Sequence, residues 1–272
     1  MGERFIILID LTEHAGDLLT YAADRAWGSD IELLLVHQTT VVAPAFTDIE
    51  IKREMTQLAN AEARKALRAL AQECIPTAVK VSYSVSEQAL PQRIAHLLAQ
   101  PFHHLVFVGM KGTGLFKKLV VGSEAINVIN TVDHCVVAVP RGLRTFSQST
   151  LHVAVTDKFP LNIAALNHYL RFLEGRDPRI VFFHLAAPGE HAAGMLEQVR
   201  ELAHAFADRY RTEHAIYEGE DPFEDIKRVV RDHTEEVLVV QRGSRLLTDR
   251  MFRRSLIDDL VYEGHIPLVL LP

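Results

Sequence analysis

The chain has 272 residues, 48% of them hydrophobic, with 29 Lys and Arg against 35 Asp and Glu for a net charge of -6. That length accommodates one large domain or two ordinary ones, and the acidic balance argues against a broad electrostatic footprint for nucleic acid or an anionic membrane. The two cysteines, Cys74 and Cys135, form neither a disulfide framework nor a paired zinc spacing, which points to a reducing, cytoplasmic setting. No leader pattern precedes the strand-like "FIILID", and no apolar run approaches the roughly 18 residues a membrane span needs.

Short β-branched and apolar runs alternate with stretches of helical period, the mark of βαβ units and a parallel sheet. The first half predicts strand 5–10, helix 14–27, strand 31–37, helix 48–72, strand 78–84, helix 86–99, strand 104–109, helix 123–131 and strand 135–139. The second half predicts strand 151–157, helix 160–173, strand 179–185, helix 190–210, strand 213–218, helix 222–233, strand 236–241, helix 255–263 and strand 267–271. Thr47 with Glu50, and Asp221-Pro222 with Glu224, read as helix starts.

The halves align. Asp10 matches Asp157 and His37 matches His184 at an offset of 147, whereas Gly109 to Gln241, Ser123 to Ser255 and Pro140 to Pro272 share an offset of 132. Two offsets mean a duplication with a net loss of about fifteen residues between strands two and four. The sequence suggests the connection after strand two, "QTTVVAPAFTD" against "AAPGE". Residues 141–150 read as a linker, giving domains at 1–144 and 145–272.

If each sheet runs in the order 3-2-1-4-5, strands one and four meet at the switch point where open α/β sheets bind ligands. Asp10 then ends strand one and Gly109 strand four. After Gly109 comes "MKGTGLFKKLVVGSEA", in which Gly112 permits a close backbone approach and Gly122-Ser123 opens a helix whose amides favour an anion. Glycine-rich turns also connect elements without binding anything. The spacing is neither a Walker loop nor G-x-G-x-x-G.

Gly109, Gly112, Gly122 and Ser123 reproduce the G-2x-G-9x-G-[S/T] signature of the ATP-binding branch of the universal stress protein family, which the chain resembles. "FIILIDLTEHA", "LLLVHQ" and "HCVVAVP" are similar to the family's first, second and last strands. The resemblance implies two α/β sandwiches of the adenine-nucleotide α-hydrolase-like, Rossmann-like class, each with a five-stranded parallel sheet in the order 3-2-1-4-5. It further implies ATP against Gly109, Gly112, Gly122 and Ser123, Asp10 near the ribose or a magnesium-bridged phosphate, and the backbone around Gln38 along the adenine. In the second half Gln241, Ser244, Arg254 and Ser255 stand at the signature positions, so all three glycines are gone. That copy is expected to be a structural partner, paired with the first through strands 135–139 and 267–271, with a homodimer left open.

Other residues carry less. His103 and His104 are adjacent on a strand and point to opposite faces, and neither they nor His134 complete a metal-ligand spacing. His37 and His184 recur as strand-end histidines. Lys111, Lys117 and Lys118 could attract phosphates or simply be solvated, and both thiols are expected to be buried rather than redox-active. The expected function is a stress-response protein binding ATP as a regulatory ligand, with at most slow hydrolysis, since no nucleophile, base or arginine finger is evident. A nucleotide-free interaction protein and a nucleotide-dependent transferase of related fold are the alternatives.

Overall fold

The computed structural model describes residues 1–44, 46–110, 123–157, 159–186, 188–218, 236–242 and 266–272. The helices expected over 222–233 and 255–263 lie outside the described residues. In chain order the elements are β1 (Gly2–Leu8), α1 (Ala15–Ala26), β2 (Glu32–Gln38), α2 (Ile49–Cys74), β3 (Val81–Ser86), α3 (Leu90–Leu98), β4 (Phe102–Gly109), α4 (Ser123–Thr131), β5 (Val136–Val139), β6 (Thr150–Ala154), α5 (Ile163–Arg171), β7 (Arg179–Ala186), α6 (Ala193–Phe206), β8 (Arg211–Glu218), β9 (Glu236–Gln241) and β10 (Leu268–Leu271).

The described residues cluster into two compact units. One holds Met1–Gly109, 123–132 and Arg141–Phe146; the other holds Met110, Asp133–Pro140 and the described residues from Ser147 onward. In the first unit β1 pairs parallel with both β2 and β4, and β2 with β3. The first copy's strands follow the order 3-2-1-4-5. Phe5, Ile6, Ile7, Leu105, Val106 and Phe107 are wholly buried, as expected of parallel strands covered on both faces, which read as continuous apolar runs. In the second unit β6 pairs parallel with β7 and β9, β7 with β8, and β9 with β10, again the order 3-2-1-4-5. Strand β5 pairs antiparallel with β10 in the register Val137↔Val269.

The helices begin and end where their residues allow. Asp48, rather than Thr47, caps α2 by accepting the Glu50 N–H at 2.7 Å, and Asn162 caps α5 by accepting the Ala165 N–H at 3.0 Å, as short polar side chains do at helix starts. Helix α1 ends at Ala26, and Gly28 follows at φ 75°, a left-handed position suited to glycine just past a helix.

The expected linker is tied to the first unit over residues 141–146. Along α1, Asp17 accepts from the Gly142 N–H at 3.0 Å and Arg144 Nε at 2.6 Å, and Asp24 accepts from the Phe146 N–H at 2.8 Å. The Phe146 ring, fully buried, lies 5.0 Å from Tyr21. The spacing of Asp17, Tyr21 and Asp24 places all three on one face of the helix, so α1 has a face for this segment as well as one for the sheet.

Register locates the length difference between the copies. Helix α2 has 26 residues and its counterpart α6 has 14. Most of the shortening is therefore in the helix itself, and the connection after strand two, which the sequence favoured, supplies the smaller share.

Candidate functional site

In the first copy β1 and β4 are adjacent in the sheet, the switch point at which open α/β sheets of this order bind ligands. Strand β1 ends at Leu8, two residues earlier than the sequence suggested, although the Ile9 N–H still bonds the Val36 carbonyl at 2.9 Å. The chain then turns on Asp10. This exposed carboxylate accepts through Oδ1 from the Thr12 N–H at 3.1 Å and the Thr12 hydroxyl at 2.7 Å. Within the turn Leu11 sits at φ 56°, a left-handed conformation that bulky side chains rarely adopt and that tends to cluster at ligand sites. Helix α1 follows without a side-chain cap at its N-terminus.

On the neighbouring strands, Gly109 closes β4, and the next amide, Met110 N–H, donates to the Val139 carbonyl at 2.8 Å. Among the described residues a Cβ built on Gly109 would meet only Leu18 Cδ2, at 3.8 Å, an ordinary contact. Neither the backbone conformation nor crowding by the described residues therefore requires a glycine there. His37 donates through Nδ1 to the Ile9 carbonyl at 2.7 Å, fixing the ring at the strand end, because a carbonyl can only accept. Gln38 accepts the Leu90 N–H through Oε1 at 3.3 Å, so its side chain is turned to the start of α3 and leaves its backbone at the end of β2.

The β1–β4 and β1–β2 registers, with Ile7 opposite both Phe107 and Leu35, bring Asp10, Gln38 and Gly109 to the same carboxyl edge. Gly112 and Gly122 lie outside the described residues, as do Lys111, Lys117 and Lys118. Ser123 begins α4.

The second copy has the same frame with a different filling. Its β6 strand continues through the Val155 N–H to the Phe183 carbonyl at 2.8 Å, and His184 Nδ1 donates to the Val155 carbonyl at 2.9 Å. Val155 thus takes the part of Ile9. The counterpart of Asp10 is consequently Thr156, not Asp157, because the connection from β6 to β7 carries one residue more. At the other strand the 132-residue offset holds: the Arg242 N–H bonds the Leu271 carbonyl at 2.9 Å, as Met110 bonds Val139.

Gln241, the counterpart of Gly109, is buried. Its Oε1 accepts the Asn162 N–H at 2.9 Å and its Nε2 donates to the Pro272 carbonyl. Asn162 is the capping residue of α5. The position that is bare backbone in the first copy is, in the second, a side chain lashing the helix start to the end of the chain. Sequence comparison finds the exchange of Gly for Gln but not these bonds.

His37 and His184 are each held by a backbone carbonyl at a strand end. His104 is buried while His103 is half-buried, in keeping with opposite faces of β4, and among the described residues no group of three His, Cys, Asp or Glu could hold a metal. Cys135 is buried, and burial pushes its thiol up to about 12. Cys74 departs from expectation in being only half-buried, though burial, followed by the charge of Glu73, still pushes its thiol up. Among the described residues no helix is long and apolar enough to cross a membrane.

No curated protein sequence matches the chain. Among solved structures it is similar to a universal stress protein from Archaeoglobus fulgidus, with a TM-score of 0.71 and 16% identity over 98% of this chain and 97% of that one. It is also similar to a functionally unknown protein from Pseudomonas aeruginosa, with a TM-score of 0.59 and 14% identity over 99% and 92% of the two chains. At such identities these likenesses establish the fold. The universal stress protein family model matches residues 1–140, the strands and loops that build the first crevice, and on that match the chain belongs to the universal stress protein family.

Proposed function

We propose that the first copy binds an adenine nucleotide, ATP in the first instance, as a regulatory ligand, and that the second copy is its structural pseudo-dimer partner. The observation that carries this reading is the contrast between Gly109 and Gln241. In a strand a glycine costs about 0.5–1 kcal/mol relative to Ala, and at Gly109 no contact among the described residues repays it, since their nearest atom to an added Cβ is 3.8 Å away. A bare backbone at the switch point is what a close-lying phosphate or ribose requires. In the second copy the same place is closed by Gln241, bonded to Asn162 and Pro272.

The start of α1 has no side-chain cap, whereas α5 is capped by Asn162. Asp10, exposed and held by Thr12, suits a ribose hydroxyl or a cation bridging phosphates. Gly112, Gly122 and Ser123 complete the phosphate cradle in this reading, and the backbone of Gln38 lines the adenine. Magnesium would supply charge neutralisation of the phosphates, and the residues here bind and orient rather than react. The protein is accordingly a cytoplasmic sensor or regulator, with any ATP hydrolysis slow.

Isothermal titration calorimetry of the full chain with ATP and magnesium, up to millimolar ligand, tests the proposal, with mass spectrometry of co-purified small molecules as a second readout. One nucleotide per chain is expected. Absence of binding, or two equivalent sites per chain, overturns it.

A further inference from the structure

We propose that the first half of α2 is a self-association surface, on which a second copy of this chain docks its own α2 in antiparallel orientation. Of the 26 residues of α2 only Ala63, Leu67 and Ala71 are buried, all in the second half. The first ten bury none, and Ile49, Ile51 and Leu58 are 78%, 53% and 66% exposed. The preceding segment adds Val42 at 85% and Phe46 at 101%. Half of the large hydrophobic side chains exposed among the described residues thus fall within seventeen consecutive positions. An unsupported helical extension of this length is marginal in water, and apolar exposure of this density marks an interaction site. The second copy supplies the control, for α6 has only 14 residues and no such extension.

Charge identifies the occupant. At the start of α2, Glu50 and Glu54 share the face of Ile51 and Leu58, while the basic Lys52 and Arg53 fall on the opposite side of the helix; further along, Arg64, Lys65 and Arg68, with Glu62 between the two groups, rim an open groove of about 630 Å³ floored by Ala61 and Ala69. Ile51 and Leu58, seven residues apart, lie on one face and can enter a shallow alanine floor as paired anchors. Laying two such helices antiparallel sets the acidic start of each against the basic rim of the other, and it also opposes their dipoles favourably. Interleaved acidic side chains make an anionic membrane a poorer occupant. A helix of 26 residues is about 39 Å long and 10 Å wide, so a two-helix contact buries on the order of 800 Å² in total, the low end for specific association. The dimer is therefore weak and concentration-dependent.

Sedimentation velocity on the full chain, from about 1 to about 300 µM, reads this directly. A monomer–dimer equilibrium in the micromolar range is expected, weakened at least about tenfold by I51E/L58E, with circular dichroism confirming that these exposed positions leave the fold intact. R64E/R68E and E50K/E54K each weaken the dimer alone, and mixing the two variants restores it. A chain that stays monomeric, or a dimer indifferent to I51E/L58E, overturns the proposal. A mixture no tighter than its parts overturns the antiparallel arrangement, and a monomer that pellets with phosphatidylserine vesicles through Ile51 and Leu58 reassigns the surface to membrane.

Discussion

Replacing Gly109 by Gln, the residue of the second copy, separates a glycine kept for the fold from one kept for a ligand. Among the described residues an added Cβ meets Leu18 Cδ2 at 3.8 Å and nothing closer, and Gly109 is not among the glycines with positive φ. No strain is expected, and the lost freedom of the unfolded chain favours the variant by up to about 0.5–1 kcal/mol. Without ligand, its melting temperature should match the parent within about 2–4 °C, the shift produced by 1 kcal/mol in a chain of this size. Nucleotide response is different. At a hundred times Kd a ligand stabilises by about 2.7 kcal/mol, which raises the melting point of the parent by about 5–10 °C. In the variant, a side chain standing where the ligand's backbone contact should be removes that rise. Differential scanning fluorimetry with and without ATP and magnesium measures both quantities. A variant that keeps the full rise refutes the assignment of Gly109 to the site, and one that melts more than about 5 °C lower without ligand shows the glycine to be structural.

Three further outcomes follow from the second unit and the thiols. Gln241→Ala removes two hydrogen bonds and leaves the Asn162 N–H to find another partner, while the Pro272 carbonyl keeps Asn162 Nδ2 at 3.2 Å, which should cost about 1–3 kcal/mol in urea unfolding without altering nucleotide binding. His152 is 6% exposed, and burial pushes its imidazole below the usual value against the opposing pull of Glu236, 3.4 Å away. A folded-state pKa below the unfolded value of about 6.5 gives stability that is present above that pH and lost as the pH falls below it, so His152→Leu should flatten the acid side of the stability profile. Iodoacetamide should label half-buried Cys74 ahead of Cys135, whose thiol is buried and pushed up to about 12, as peptide mass spectrometry of the folded protein would show.

The fold was legible because parallel strands buried on both faces must be written as nearly uninterrupted apolar runs, and "FIIL", "ELLLV" and "HLVFVG" can be little else. The duplication was legible because offsets of strand-end residues survive the loss of side-chain similarity. What the sequence hid is one-residue register. Asp157 looks like the partner of Asp10, yet the Val155 N–H pairing with Phe183 makes Thr156 its counterpart, and a single extra loop residue leaves no signature in composition or period. The shortening between the copies was misplaced for a related reason. The start of α2, "IEIKREMTQL", is as compatible with a helix as α6 is, so helical period alone cannot tell an extended helix from a longer loop before an equal one. Strand ends read from the sequence put Asp10 and Gly109 at one edge and the family resemblance added Gln38, and the strand registers bring these three positions to the same edge. The bonds of Gln241 were invisible, since they join residues 79 and 31 positions apart.

The differences between the copies share one direction. The first copy keeps a glycine in a strand without an internal reason, a bulky Leu11 at φ 56°, an uncapped helix start, and an extension of α2 that exposes Ile49, Ile51 and Leu58. Each is unfavourable for an isolated fold by a fraction of a kcal/mol to a few kcal/mol. The second copy has the stabilising alternative at three of the four: Gln241 in place of Gly109, Asn162 capping α5, and a 14-residue helix without the exposed extension. Backbone frame and strand order are the same in both, so architecture does not demand the unfavourable choices. Domains are stable by only about 5–15 kcal/mol, so several such features carried together by one copy are what the proposed ligand and the proposed self-association would account for, and what the frame shared with the second copy does not.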